Sequence, residues 1–212
     1  MSDRFSRTRI LFEDDFEKLQ NKKVLLLGVG GVGGFCLDCL FRSGVSDITI
    51  VDFDTFEETN QNRQLGSEAL GVLKVEYFSK TYPSITPINE KVTLEWCETF
   101  DFSSYDLVID AIDDMPAKVA LAHQVGDKMI AAMGGAKRLD PTKIEIADIW
   151  KTHGEALAKK FRYELKKSGF RGKFDVVFSP ELPNCKELGS FMGVTGSLGL
   201  ALCALAVRKL RT

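Results

Sequence analysis

The side chains of this chain that could do chemistry gather behind one glycine-rich turn. Gly28-Val29-Gly30-Gly31-Val32-Gly33 lets the backbone approach an anion closely and leaves free N–H groups to meet it. Asp52 and Asp54 come next, then the polar run Asn60-Gln61-Asn62-Arg63-Gln64, then Lys74. Gly28, Gly30, Gly31 and Gly33 with Asp52, Asp54, Asn60, Arg63, Gln64 and Lys74 form a set suited to a nucleotide. The common reading of such a pattern is NAD, with Asp52 on the ribose. Arg63 and Lys74 favour ATP, because a triphosphate has more charge to neutralise than a pyrophosphate. Either cation taken alone reads equally as a solvated surface residue. Asp113 closes the run Asp110-Ala111-Ile112-Asp113, and one or two carboxylates beside phosphate oxygens suit Mg²⁺. Asp113 or Asp114 could instead cap a helix that opens at Met115-Pro116, and one can cap while its neighbour holds the metal.

The elements that must position these residues follow from the apolar runs. Val24–Leu27 leads into the glycines, Phe35–Phe41 is helix-competent, and Ile48–Val51 ends on Asp52. That order is strand, turn, helix, strand, acid, and ligands of an open parallel sheet sit at the carboxyl ends of its strands. The same reading predicts strands near 23–28, 47–52, 88–92, 106–110, 129–133 and 143–149. It predicts helices near 13–21, 31–43, 67–81, 116–125, 154–168 and 195–209. The alternation implies an α/β fold, Rossmann-like and doubly wound, with a mostly parallel sheet and antiparallel edge strands. Lys143–Trp150 alternates apolar and polar residues, as a half-exposed edge strand does. Residues 169–193 are rich in Gly, Pro, Ser and Asn and read as a loop facing the substrate. A chain of 212 residues is expected to form one domain over 1–212.

Composition narrows the function classes. A formal net charge of −2 excludes a globally basic nucleic-acid binder but not a local patch. Such a patch exists: Lys159, Lys160, Arg162, Lys166, Lys167, Arg171 and Lys173 crowd one segment, with Lys159, Arg162 and Lys166 at helical spacing. A solvated helix face is the plainer reading, and contact with nucleic-acid phosphates is the other. Five cysteines in a nucleotide-binding chain do not suggest a disulfide framework. Cys36 and Cys39 share one side of a helix and read as core packing. His123 and His153 read as surface or satisfied residues. The polar, arginine-rich start does not read as a signal peptide, and the apolar stretch 194–207 is too short to span a bilayer. A cytoplasmic protein with no membrane contact is expected.

Together these motifs resemble the ThiF/MoeB-like, ubiquitin-activating-type adenylyltransferases over roughly residues 4–207. In that family ATP and Mg²⁺ activate a carboxylate as an acyl-adenylate. The resemblance implies that Asp52 binds the ribose, that Asn60, Arg63 and Lys74 contact the triphosphate, and that Asp113 holds the metal. It also implies a homodimer in which an N-terminal arginine reaches the partner's ATP. Arg4, Arg7 and Arg9 are candidates, and Arg7 fits the spacing best. Within the family, Arg42-Ser43-Gly44, Gly134-Gly135-Ala136, Asp140-Pro141-Thr142-Lys143, Asp148-Ile149-Trp150-Lys151-Thr152 and Val177-Phe178-Ser179-Pro180-Glu181 resemble the branch of tRNA threonylcarbamoyladenosine dehydratases. That branch implies a tRNA substrate, for which the 159–173 cluster is a natural phosphate contact, and leaves a sulfur-relay protein partner open. Two features depart from it: the segment 181–193 is short, and Cys185 matches a late cysteine only approximately. The alternative is a sulfur-carrier adenylyltransferase acting on the C-terminal glycine of a ubiquitin-like protein. The second C-x-x-C pair that such enzymes use for zinc is missing. A nucleotide-sensing module and an NAD oxidoreductase rank lower.

Overall fold

Val24, Leu25, Leu26 and Leu27 are all fully buried. A strand apolar on both faces belongs inside a parallel sheet covered by helices on both sides. The computed structural model, which describes residues 3–211, places these residues in β1 (Lys23–Leu27). The other strands are β2 (Asp47–Val51), β3 (Thr86–Ile88), β4 (Leu107–Asp110), β5 (Met129–Ala132), β6 (Glu145–Asp148) and β7 (Asp175–Phe178). They form one seven-stranded sheet in the order β3-β2-β1-β4-β5-β7-β6. Every pairing is parallel except that of β6 with β7, so the alternating segment 143–150 does form an antiparallel edge strand.

The helices are α1 (Ser6–Phe12), α2 (Asp15–Gln20), α3 (Gly33–Ser43), α4 (Lys74–Thr81), α5 (Leu94–Thr99), α6 (Met115–Val125), α7 (Ala156–Lys167) and α8 (Met192–Leu210). Leu26, Leu37, Phe78 and Leu202 share the core beneath α3, α4 and α8. Leu25, Leu121, Phe161 and Phe174 share the core on the other face, beneath α5, α6 and α7. The chain leaves β1 for β2 on one side and returns to β4 on the other. This reversal opens a crevice at the carboxyl ends of β1, β2 and β4.

Several elements differ from the sequence reading. The third strand lies at 86–88, earlier than 88–92. The helix expected from 67 starts only at Lys74, because Gly71 at φ +76° turns the chain just before it. Helices α1 and α5 were not expected, and β7 lies inside the segment read as a loop. Its run Val176-Val177-Phe178 is fully buried but too short to stand out among glycine, proline and serine.

Helix α8 spans 19 residues, longer than expected, and by length and composition could cross a membrane. In the fold it is a core helix, with Val194, Leu198, Leu202 and Leu205 buried. It lies unusually close to α3: a Cβ on Gly199 would stand 2.3 Å from the Val32 carbonyl oxygen and 2.8 Å from Phe35 Cβ. This approach corrects the cysteine reading. Cys39 of α3 and Cys203 of α8 form a disulfide, their Cα atoms 6.1 Å apart. Cys36 is buried as expected, and burial pushes its thiol pKa up.

The glycine turn yields a stability test. A Cβ on Gly33 would sit 1.9 Å from the Gly28 carbonyl oxygen, whereas one on Gly169 meets nothing within 4 Å. Gly33→Ala should cost about 3 kcal/mol or more in urea unfolding, at the top of the overpacking range. Gly169→Ala should cost only the left-handed strain, about 1–2 kcal/mol.

Candidate active site

The turn after β1 is built on close backbone contact. Gly28 has φ +84°, and a Cβ there would press on the Ala111 carbonyl oxygen at 2.8 Å. The Asp52 carboxylate then fastens the turn to the end of β2. Its Oδ2 accepts from the Val29 N–H at 2.8 Å and its Oδ1 from the Asp54 N–H at 2.9 Å. Gly31 lies under the stem of Arg63, where a Cβ would approach Arg63 Cγ at 3.3 Å. Gly30 opens into the cleft, with the Gln64 amide nitrogen 3.7 Å from where its Cβ would stand.

The polar run folds back over this turn. The Asn60 side-chain oxygen accepts from the Glu57 N–H at 3.2 Å and caps a short 3-10 turn over Glu58–Asn60. Arg63 Nη1 donates to the Thr59 carbonyl and to Asn62 Oδ1, both at 2.8 Å. Gln64 Oε1 is buried without a hydrogen-bond partner among the described residues, an orphan acceptor of the kind that a bound ligand satisfies. Lys74 opens α4, is 4% exposed, and reaches Asp54 Oδ2 at 3.0 Å.

On the far side, β4 ends at Asp110. Its carboxylate is fully buried and holds Lys118 Nζ at 2.9 and 2.8 Å. Burial pushes the Asp110 carboxyl up while Lys118 opposes the shift. The same carboxylate accepts from the Ile112 N–H at 3.2 Å, so it orients the backbone that carries Asp113. Asp114 caps α6 by accepting from the Ala117 N–H at 2.9 Å, and Asp113 lines the cleft beside it.

Gly28, Gly30, Asp52, Asp54, Asn60, Arg63, Gln64, Lys74 and Asp113 all line one cleft of about 330 Å³. Gly31 and Gly33 shape its wall from behind. Arg7 does not enter it and is exposed on α1. Phe53, Glu90 and Lys91 also line the cleft and were missed. Lys91 Nζ stands 5.2 Å from the centre of the Phe53 ring. Lys118 was missed too, although a lysine inside an otherwise apolar helix is itself a signal of a buried pair. The cleft carries five carboxylates (Asp52, Asp54, Glu90, Asp113, Asp114) against three cations (Arg63, Lys74, Lys91). Cations and backbone donors beside an excess of carboxylates suit a polyphosphate bound together with a cation. No group of three His, Cys, Asp or Glu side chains among the described residues could hold a metal unaided.

The ThiF family model matches residues 4–202. The chain belongs to the ThiF family. It is 38% identical over 195 residues to a tRNA threonylcarbamoyladenosine dehydratase of Bacillus subtilis, covering 86% of this chain and 77% of that one. It is 36% identical to tRNA threonylcarbamoyladenosine dehydratase 2 of Saccharomyces cerevisiae, covering 86% of this chain but 44% of the yeast one. Among solved structures it is similar to the tRNA N6-threonylcarbamoyladenosine dehydratase of Escherichia coli in complex with ATP. The TM-score is 0.90, the identity 30%, and the coverage 98% of this chain and 93% of that one.

A second polar assembly flanks the ThiF cleft at the same sheet edge. Buried Arg138 donates to the Ser179 carbonyl at 3.1 Å and pairs with Glu155 at 3.3 Å. Glu181 accepts from the Asp140 N–H at 2.9 Å and from Asn184 Nδ2 at 2.7 Å. These donors, the Asp140 N–H foremost, hold its carboxyl below the usual range.

Two tests follow from these pairs. Lys118→Met leaves Asp110 buried and unpaired and should cost about 3–5 kcal/mol in urea unfolding. Adding Asp110→Asn should recover much of that loss. For Glu181, a lowered carboxyl stabilises fully above the ordinary carboxylate range, and the benefit disappears as pH falls through the lowered value. The melting-temperature gap between wild type and Glu181→Gln should therefore be largest near neutral pH and close under acid.

Proposed function

We propose that this chain is an ATP-dependent dehydratase that cyclises threonylcarbamoyladenosine in tRNA. The supporting observation is one cleft that assembles the glycine turn, Arg63, Lys74 and Asp113 in a ThiF-family chain whose relatives carry that name. ATP is the co-substrate. Its phosphates meet the Gly28–Gly33 backbone, Arg63, Lys74 and the side-chain amide nitrogens of Asn60 and Gln64. Asp52 takes the ribose, and Phe53 with Ile112 offers apolar surface to the base. Asp113 holds Mg²⁺, which neutralises the phosphates and offsets the surplus carboxylates.

In this reaction the threonyl carboxylate attacks the α-phosphorus and pyrophosphate leaves. The neighbouring urea group of the same nucleoside then attacks the activated carbonyl. A ring closes and AMP carries away the carboxylate oxygen. The nucleophile is internal, so the protein supplies position and charge rather than a covalent partner. Arg63 and Lys74 stabilise the leaving pyrophosphate.

The enzyme works as a homodimer of single-domain subunits in the cytoplasm, with Arg7 completing the partner's site. Arg4 and Arg9 are occupied within their own chain. The Arg4 guanidinium lies 4.5 Å from the centre of the Phe41 ring, and Arg9 is bonded to Asp3 at 2.7 Å. Arg7 is exposed, with no such contact among the described residues.

Total tRNA from a strain lacking this gene, incubated with the protein, ATP and Mg²⁺, should yield threonylcarbamoyladenosine lighter by one water in mass spectrometry. An unchanged nucleoside would count against the reading. Lys74→Ala should slow AMP formation by about 10²–10³, as loss of a charge-stabilising donor does. Asp113→Asn should raise the Mg²⁺ needed for half-maximal rate. Mixing Arg7→Ala with Lys74→Ala subunits should restore about one quarter of wild-type activity, since half of the dimers then hold one intact site of two. No recovery despite proven subunit exchange would place the whole site within one chain.

A further inference from the structure

Tyr163 stands in the middle of the outward face of α7 with 64% of its surface exposed. On a helix its surface neighbours are the residues three and four positions away. Here those are Lys159, Lys160, Lys166 and Lys167, and all four are exposed. None of them is in an ion pair among the described residues. The segment 156–173 holds seven cations and one acid in a chain whose net charge is −2. Arg162 is not part of this face: it is half-buried and bonded to Thr152 Oγ1.

The orientation of this face is set by packing. Ala158, Phe161 and Leu165 are fully buried beneath the helix, which turns the tyrosine and the four lysines to solvent. A face serving solubility alone mixes both signs at i,i+4 spacing, and like charges there are mildly destabilising. An exposed aromatic ring with lysines at all four neighbouring positions departs from that pattern, with half-buried Glu164, four residues after Lys160, the one acid of the segment. It has the composition of a single-strand nucleic-acid surface, where a ring stacks a base and cations track the backbone.

The helix also begins at the right edge of the sheet. Glu155 caps it by accepting from the Leu157 N–H at 3.0 Å and is tied to Arg138, just beyond β5. Gly154 rests on Pro180, just beyond β7, where a Cβ would meet the Pro180 carbonyl oxygen at 2.9 Å. Both contacts lie at the carboxyl ends of parallel strands, the edge that holds the nucleotide cleft. Tyr163 is eight residues on from Glu155, roughly 12 Å along the helix axis away from that edge.

We propose that the outward face of α7 is an RNA-binding surface, with Tyr163 stacking an unpaired base of the tRNA substrate and Lys159, Lys160, Lys166 and Lys167 contacting the flanking phosphates. This deepens the tRNA reading above and rests on it for the identity of the RNA.

The test compares Tyr163→Ala, Tyr163→Phe and a variant with all four lysines changed to Gln. Their binding to bulk tRNA, to a short single-stranded RNA and to polyglutamate is measured across a salt series. All substituted positions are exposed, so thermal melting should confirm folded proteins. Tyr163→Ala should weaken binding to both RNAs on the order of tenfold, with an unchanged salt slope. Tyr163→Phe should keep affinity within about twofold, because the ring is what stacks. The four-lysine variant should flatten the salt slope by about 3, as loss of four phosphate contacts does. ATP binding should be the same in all three.

RNA affinity unchanged in Tyr163→Ala would overturn the proposal. So would polyglutamate binding as tightly as RNA at matched salt, which would mark a face for acidic proteins. The two readings fail separately. Normal turnover of tRNA with an unchanged KM in Tyr163→Ala removes this surface and leaves the reaction. RNA binding that needs the Tyr163 ring in a protein unable to dehydrate any tRNA nucleoside removes the reaction and leaves the surface.

Discussion

Three backbone segments meet at one point with no room for a side chain. They are the end of β1 at Gly28, the start of α3 at Gly33, and the segment after β4 at Ala111. Everything around the cleft is arranged from that contact. It brings α3 up to β1, with the Gly28 N–H on the Val51 carbonyl and the Val29 N–H on Asp52. It also sets the two chain reversals, toward β2 and toward β4, on either side of one crevice. Two carboxylates then secure the two sides, Asp52 half-buried and Asp110 fully buried. Asp52 binds the turn to the β2 loop, and Asp110 binds the β4 segment to Lys118 of α6. Each carboxylate also accepts a nearby backbone N–H, so the charge that holds the elements together also orients the loop that carries Asp54 or Asp113.

The electrostatics of the cleft are incomplete without a ligand. Lys74 is already paired with Asp54, whereas Arg63 and Lys91 have no carboxylate partner among the described residues. The remaining acids face the same space and would repel a bare triphosphate. A polyphosphate carrying a divalent cation would resolve both conditions, which supports the proposed ATP and Mg²⁺ over a dinucleotide. The loop bearing Arg63 also touches the segment before α8, through Asn62 Nδ2 and the Ser190 carbonyl at 3.1 Å. The Arg63 loop and the segment before α8 are therefore in direct contact.

Much of this could be read from the chain because it is local. The glycine spacing, the acid after the second strand and the polar run with Arg63 each announce themselves within a dozen residues. The alternating edge strand β6 and the buried β1 follow from their patterns. What escaped depends on partners distant in sequence. The Val176–Phe178 run becomes a strand only because β5 lies beside it. Lys118 stands out in an apolar helix, but its partner is identified only once Asp110 is placed against it. Cys39 and Cys203 are 164 residues apart and meet only because Gly199 lets α8 lie on α3. The basic run of α7 was legible as a cluster. Which of its cations face outward was not, since the Arg162–Thr152 bond and the buried face of the helix decide it.

The central claim is that the cleft joins a carboxylate to the α-phosphorus of ATP. It is tested most directly with tRNA whose threonylcarbamoyladenosine carries heavy oxygen in the threonyl carboxylate. After turnover with unlabelled ATP, mass spectrometry of the small products should find one heavy oxygen in AMP and none in pyrophosphate. Heavy oxygen recovered in inorganic phosphate, with ADP as the nucleotide product, would show attack at the γ-phosphorus and contradict the account. Unlabelled AMP formed alongside the cyclised nucleoside would contradict it equally.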